Sequence, residues 1–176
     1  MPEKVKLFFS GSTFQNFDGT NFTTIGCEAK TGFGLGVYAG LGADFKDKST
    51  GVFDIKYCGK YAPDSILGFN GRARTKLGEN EQSTQLRISP LSVCVPVNEK
   101  ISAYATPCYC AKYDYSKNSW GHSATVFAGV TYKIDKNTSI SAEIQNYNTQ
   151  NAFNGSGEFF DGKNWSGNII FSRKLN

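Results

Sequence analysis

Methionine and histidine are almost missing from this chain, at one residue each in 176, and no apolar run is long enough to cross a bilayer as a helix. Each absence removes a class of function. A single histidine, His122, cannot complete the ligand set a zinc site needs, so neither a metal nor another cofactor is expected. Helix-period patterning is hard to find, which sets aside helical bundles. Lys and Arg outnumber Asp and Glu by 19 to 15 but are scattered among them, so nucleic acid is not an expected partner. The glycine-rich GFGLGVYAGLG lacks the Gly-Lys-Ser/Thr ending of a phosphate loop and keeps a strand rhythm, which argues against a nucleotide site. No secretory signal is visible: Met1-Pro-Glu-Lys runs almost directly into a strand, as in a cytosolic protein or a mature form with a replacement start.

Cysteine is present in an odd number, with Cys27, Cys58, Cys94, Cys108 and Cys110, so the five cannot all pair within one chain. Cys108 and Cys110 share a strand face, but two steps along a strand separate them by about 6.5–7 Å, at or beyond disulfide reach. Unpaired, packed thiols without a metal centre are the expectation.

What the chain has in abundance is a two-residue rhythm. Over 33–45 the odd positions are Phe33, Leu35, Val37, Ala39, Leu41, Ala43 and Phe45, while the even positions are glycines, Tyr38 and Asp44. Over 101–115 the odd face is Ile101, Ala103, Ala105, Pro107, Tyr109, Ala111, Tyr113 and Tyr115, and the even face mixes Ser, Thr, Tyr, Cys, Lys and Asp. Side chains alternate across a strand, so each segment has one apolar and one mixed face. Ten such strands are expected, at 4–14, 21–30, 33–46, 51–61, 65–77, 83–96, 99–116, 121–135, 138–149 and 164–175. The connections, rich in Gly, Asn, Asp, Ser and Pro, alternate between short and long. A meander sends alternate turns to opposite ends, so short turns gather at one end and long loops at the other. Transmembrane barrels share this asymmetry.

At AGVTYKIDKNTSISAEIQNYN, residues 128–148, the chain resembles small bacterial outer-membrane β-barrel proteins, with paired strands and a tight turn. The last strand ends Lys174-Leu175-Asn176, where such barrels often finish on an aromatic residue. The resemblance implies one all-β domain over 1–176: an antiparallel, up-and-down transmembrane β-barrel of about ten strands in the bacterial outer membrane. Membrane lipid would be its partner, and the long loops would be free for a surface ligand.

Alternation alone permits two orientations. In a membrane barrel the apolar face meets lipid and the mixed face lines the interior. In a soluble barrel the faces are reversed and an apolar cavity holds a lipid or other apolar small molecule. Small residues on the apolar face, with aromatics near strand ends (Phe33, Phe45, Tyr61, Tyr113, Tyr115, Tyr132 and Trp165), favour the membrane arrangement with two interfacial girdles. Lumen-lining groups are then Asp44, Asp54, Lys56, Lys60, Arg72, Arg74, Lys76, Arg87, Lys112, Asp114, Lys133 and Glu143. Lipid-facing groups are Leu35, Val37, Ala103, Val126, Val130 and Ile144. Parity changes around Ser89-Pro90, where a bulge would realign the strand. If the turn after the fourth strand centres on Pro63, Asp54 stands opposite Arg72 and the two form an ion pair.

No catalytic set emerges. His122 and Ser123 are strand neighbours that point to opposite faces, and His122 with Glu143 is a weak pair for an embedded lipid-modifying enzyme. The expected role is therefore non-enzymatic: a membrane scaffold, a surface-interaction protein or a narrow porin-like conduit. Structural and surface roles rank slightly above bulk transport, because ten strands enclose only a narrow bore.

Overall fold

The computed structural model describes residues 5–16, 21–43, 49–78, 82–147 and 165–176. Ten strands follow in chain order: β1 (Lys6–Asn16), β2 (Asn21–Lys30), β3 (Leu35–Ala43), β4 (Ser49–Lys60), β5 (Leu67–Gly78), β6 (Gln82–Pro96), β7 (Ile101–Asp114), β8 (Ser119–Lys133), β9 (Thr138–Tyr147) and β10 (Trp165–Lys174). Each pairs antiparallel with its neighbours in sequence, and β1 pairs with β10, so the sheet closes into a barrel. Closure leaves no edge with unpaired backbone groups. At this seam Phe8 stands opposite Lys174, and Asn176 ties both sides: its Oδ1 accepts from Leu7 N at 2.8 Å and its Nδ2 donates to Val5 O at 3.2 Å.

The end asymmetry is narrower than the sequence suggests. Between strand bounds the chain leaves 4, 6, 4 and 4 residues at one end, and 4, 5, 3, 4 and 17 at the other. Only 148–164 is long. The difference arises mainly because β3, β5 and β7 begin two residues later, and β8 ends two residues earlier, than the hydrophobic pattern indicated, which lengthens the connections at the short-turn end.

The interior combines glycine with large rings, and the geometry explains why. A Cβ placed on Gly129 would come within 2.7 Å of Tyr104 Cζ, and one on Gly26 within 2.9 Å of Tyr38 Cζ. The rings lie flat across glycine backbone because no side chain is there to lift them. Gly34 has a different task. Its φ of 97° shapes the β2–β3 turn, and a side chain there would strike the Cys58 carbonyl.

β6 carries one extra residue relative to both partners. Asn70 stands opposite Ser89 while Gly68 stands opposite Ser92, and on the other side the register shifts between Ile88 and Val93. The bulge keeps Leu86 and Ile88 on the same outer face as Leu91 and Val95, which all stay exposed. Ser89 is buried, and its single hydroxyl proton is shared between the carbonyls of Leu91 and Pro107, at 2.6 and 2.7 Å. The seryl hydroxyl thus replaces the ladder bonds that the bulge and the two prolines interrupt.

Candidate functional site: a charged lumen

The barrel encloses a cavity of about 800 Å³. One wall is cationic. It is built by β4–β7, which present Lys56, Arg72, Arg74, Lys76, Arg87 and Lys112 to the cavity. The facing wall is largely neutral, with Ser10, Ser12, Thr131, Gln145 and Asn168 beside the single carboxylate Glu143.

Asp54 anchors the cationic wall. It is completely buried. Its carboxylate accepts from Arg72 Nη2 at 2.7 Å, and from Arg74 Nε at 2.7 Å and Nη2 at 2.9 Å. Lys56 stands 4.0 Å away and reaches Glu28 at 3.3 Å. Glu28, nearly sealed, also meets Lys30 at 3.3 Å. Two buried carboxylates therefore hold a row of cations in place, as charges removed from bulk water require. Several of the cations also lie over ring faces. Lys76 sits 4.2 Å from the Phe22 centroid, Lys56 5.2 Å from Tyr38 and Arg87 4.7 Å from Phe127. Along the barrel wall, over Gly129, Tyr104 donates to Glu143 at 2.8 Å.

The Asp54–Arg72 ion pair is present, but the register is displaced by two residues from the sequence expectation. Asp54 stands opposite Arg74, and Arg72 opposite Lys56. The turn is longer on its far side than one centred on Pro63, with Tyr61 N bonding to Leu67 O at 3.2 Å and Ser65 N to Ala62 O at 3.0 Å. An even displacement leaves every side chain on its face, so Arg72 reaches Asp54 diagonally.

Of the twelve residues assigned to the lumen from sequence, Asp54, Lys56, Arg72, Arg74, Lys76, Arg87, Lys112 and Glu143 line the cavity. Lys60, Asp114 and Lys133 sit at strand ends and do not line it. Lys60 extends to Pro63 O, while Asp114 accepts from Ser116 Oγ at 2.6 Å in the β7–β8 turn. Asp44 lies outside the described residues. Tyr104, Gln145 and Asn168, which also line the cavity, and Glu28, which pairs with Lys56, were not in that set. Strand parity was the signal available for all four.

The outer face is apolar. Leu35, Val37, Ala103, Val126, Val130 and Ile144 alternate with the lumen residues, and none of them lines the cavity. Val37, Val130 and Ile144 are exposed, as are Ile25, Leu41, Phe53, Ile55, Ile140 and Ile169. Tyr57, Tyr61 and Phe69 cluster near the short-turn end, with Phe69 5.4 and 5.5 Å from the two tyrosine centroids. At the opposite end Tyr113 packs 5.0 Å from Tyr115 and 5.1 Å from Trp120. Charges point in and aliphatic groups point out, the reverse of a soluble ligand-binding barrel. The fold is that of a transmembrane β-barrel. Phe45 lies outside the described residues.

His122 and Glu143 fall on opposite faces. His122 is exposed beside Tyr109, whose hydroxyl is 2.5 Å from Nδ1, while Glu143 faces the lumen. The wall of the barrel separates them, so they cannot act as an acid–base pair. Among the described residues no group of three or more His, Cys, Asp or Glu is placed to hold a metal ion.

No described protein family and no curated protein sequence matches the chain. Among solved structures it is similar to the KdgM porin, at 12% identity over 96% of this chain and 99% of that one, with a TM-score of 0.49. It is similar to the de novo designed protein TMB2.3, at 15% identity over 100% and 99% of the two chains, with a TM-score of 0.48. An outer membrane channel from Pseudomonas putida F1 matches at 11% identity over 99% and 97%, with a TM-score of 0.44.

Proposed function

We propose that this protein is a narrow conduit of the bacterial outer membrane with a weak preference for small anions. The observation that carries the reading is the cavity of about 800 Å³, lined by six Lys and Arg against two lining carboxylates, Asp54 and Glu143, with Glu28 pairing Lys56 behind the lining. A basic lining lowers the electrostatic barrier for anions. Paired charges and interior rings narrow the path, so unit conductance is small. Lipid around the apolar band completes the environment, and no catalytic role is assigned. The 17-residue connection between β9 and β10 supports a second reading, in which that end of the barrel meets a surface ligand.

Planar-bilayer recording of purified protein tests the conduit. Small, weakly anion-selective steps are expected, and large or strongly cation-selective channels would overturn it. Fractionation tests the location: detergent-dependent solubility with heat-modifiable gel migration is expected. A monodisperse monomer without detergent would refute membrane residence.

A further inference from the structure

Cys108 and Cys110 both turn inward from β7, and their Sγ atoms lie 3.8 Å apart. Cys110 is almost sealed, whereas Cys108 lines the cavity. Arg87 stands opposite Cys110 on β6, and Ser123 stands opposite it on β8. A disulfide does not fit this pair. Same-face strand neighbours hold their Cα atoms about 6.5–7 Å apart, at or beyond disulfide reach. Zinc does not fit either, because no third Cys, His, Asp or Glu joins the two sulfurs among the described residues.

A different class of ligand does fit. With sulfur bonds of about 2.3 Å, as in metal thiolates, a 3.8 Å separation subtends roughly 110° at the bound atom. That is the bent, bidentate geometry of a three-coordinate thiophilic centre, with its third substituent directed into the cavity beside Cys108. We propose that Cys108 and Cys110 form a dithiol trap in the bore for trivalent arsenicals. The trap needs only the lumen and does not depend on ion conduction.

The exchange balances without an oxidant or reductant. An organoarsenic oxide, R–As=O, loses its oxygen; two S–H bonds break and two As–S bonds form. Both thiol protons leave with the oxygen as one water, and arsenic stays trivalent. Cys108 attacks first because it lines the cavity, and Cys110 closes the chelate. Arg87 supplies positive charge beside the sulfurs as they give up their protons.

The test uses folded protein in which Cys27, Cys58 and Cys94 are replaced by Ser, leaving the pair alone. One equivalent of phenylarsine oxide is expected to remove both thiols from titration and to add one arsenical, less water, to the intact mass. Dimercaptopropanol should reverse the adduct, and mercaptoethanol at the same thiol concentration should not. Adding Cys108→Ser should leave a single-thiol adduct that mercaptoethanol strips. If both thiols remain titratable after one equivalent, or mercaptoethanol reverses the two-thiol adduct as easily as the single-thiol one, the proposal fails. Should the triple variant lose its heat-modifiable form, peptide mapping of the native sequence replaces it. An adduct within 101–114 is expected, and adducts confined to the other cysteines would overturn the trap.

Discussion

At the scale of single residues, Asp54 has the most to hold. It is the shared acceptor of two guanidinium groups in a cavity wall and has no exposed surface. Asp54→Asn leaves Arg72 and Arg74 crowded without a counter-charge, and should cost about 3–5 kcal/mol of stability, as breaking one side of a buried ion pair does. Urea unfolding in micelles measures that loss. Bilayer recordings of the same variant should show stronger anion preference, because one of two cavity carboxylates is gone. Asp135, in the β8–β9 turn, offers a second test. Its Oδ1 accepts from the backbone N–H of Asn137 at 2.7 Å and of Thr138 at 2.9 Å. The Asn137 amide above all, aided by Thr138 and the charge of Arg173, holds its pKa below the ordinary 3.8. A lowered carboxylate pKa contributes stability that is present above the unfolded value and lost as pH falls through the folded one. Asp135→Ala should therefore be less stable than the parent at neutral pH, with the gap closing in acid below pH 3.8. Unfolding midpoints across that range check it. Parity alone located Asp54 and Arg72 on one face. It could not show the 3.8 Å between the cysteine sulfurs, because that distance depends on side-chain rotation and not on strand spacing.

At the scale of elements, the strands were legible because alternation and turn chemistry agree along the chain, and most bounds differ from expectation by two residues or fewer. β6 shows how far that legibility reaches. The parity break at Ser89-Pro90 pointed to a bulge, and the structure places one extra residue there against both neighbours. Register at β4–β5 was less accessible, since the sequence marks a turn at Pro63 without fixing how many residues it spends. Two-residue slips keep each face intact, so the hydrophobic pattern does not distinguish them. The bulge yields the matching prediction. Deleting Pro90 removes the extra residue and restores one-to-one pairing with β5 and β7, leaving Leu91 and Val95 outward and Ser92 and Cys94 inward. The deletion variant and Pro90→Ser should therefore both refold to a heat-modifiable form in the same gel assay. Loss of that form in the deletion variant alone would contradict a bulge of one residue.

At the scale of the whole molecule, an apolar exterior around a charged interior commits the barrel to a surrounding of low polarity. Val126→Arg, near the middle of β8, should cost on the order of 2–4 kcal/mol in a bilayer. Refolding into vesicles against a denaturant series measures it. A variant as stable as the parent would mean that this face does not meet lipid. Closure has a further consequence, and it concerns time. Nine of the ten strand pairings join sequence neighbours, so they can zip in order as the chain emerges. The tenth joins β1 to β10, as in Phe8 opposite Lys174, and must wait for both ends of the described chain. Until β10 docks, β1 and β9 are open edges, ready to accept a strand from another molecule. The slowest and most error-prone moment of assembly is therefore this last seam, where the barrel either seals on itself or is captured by a neighbour.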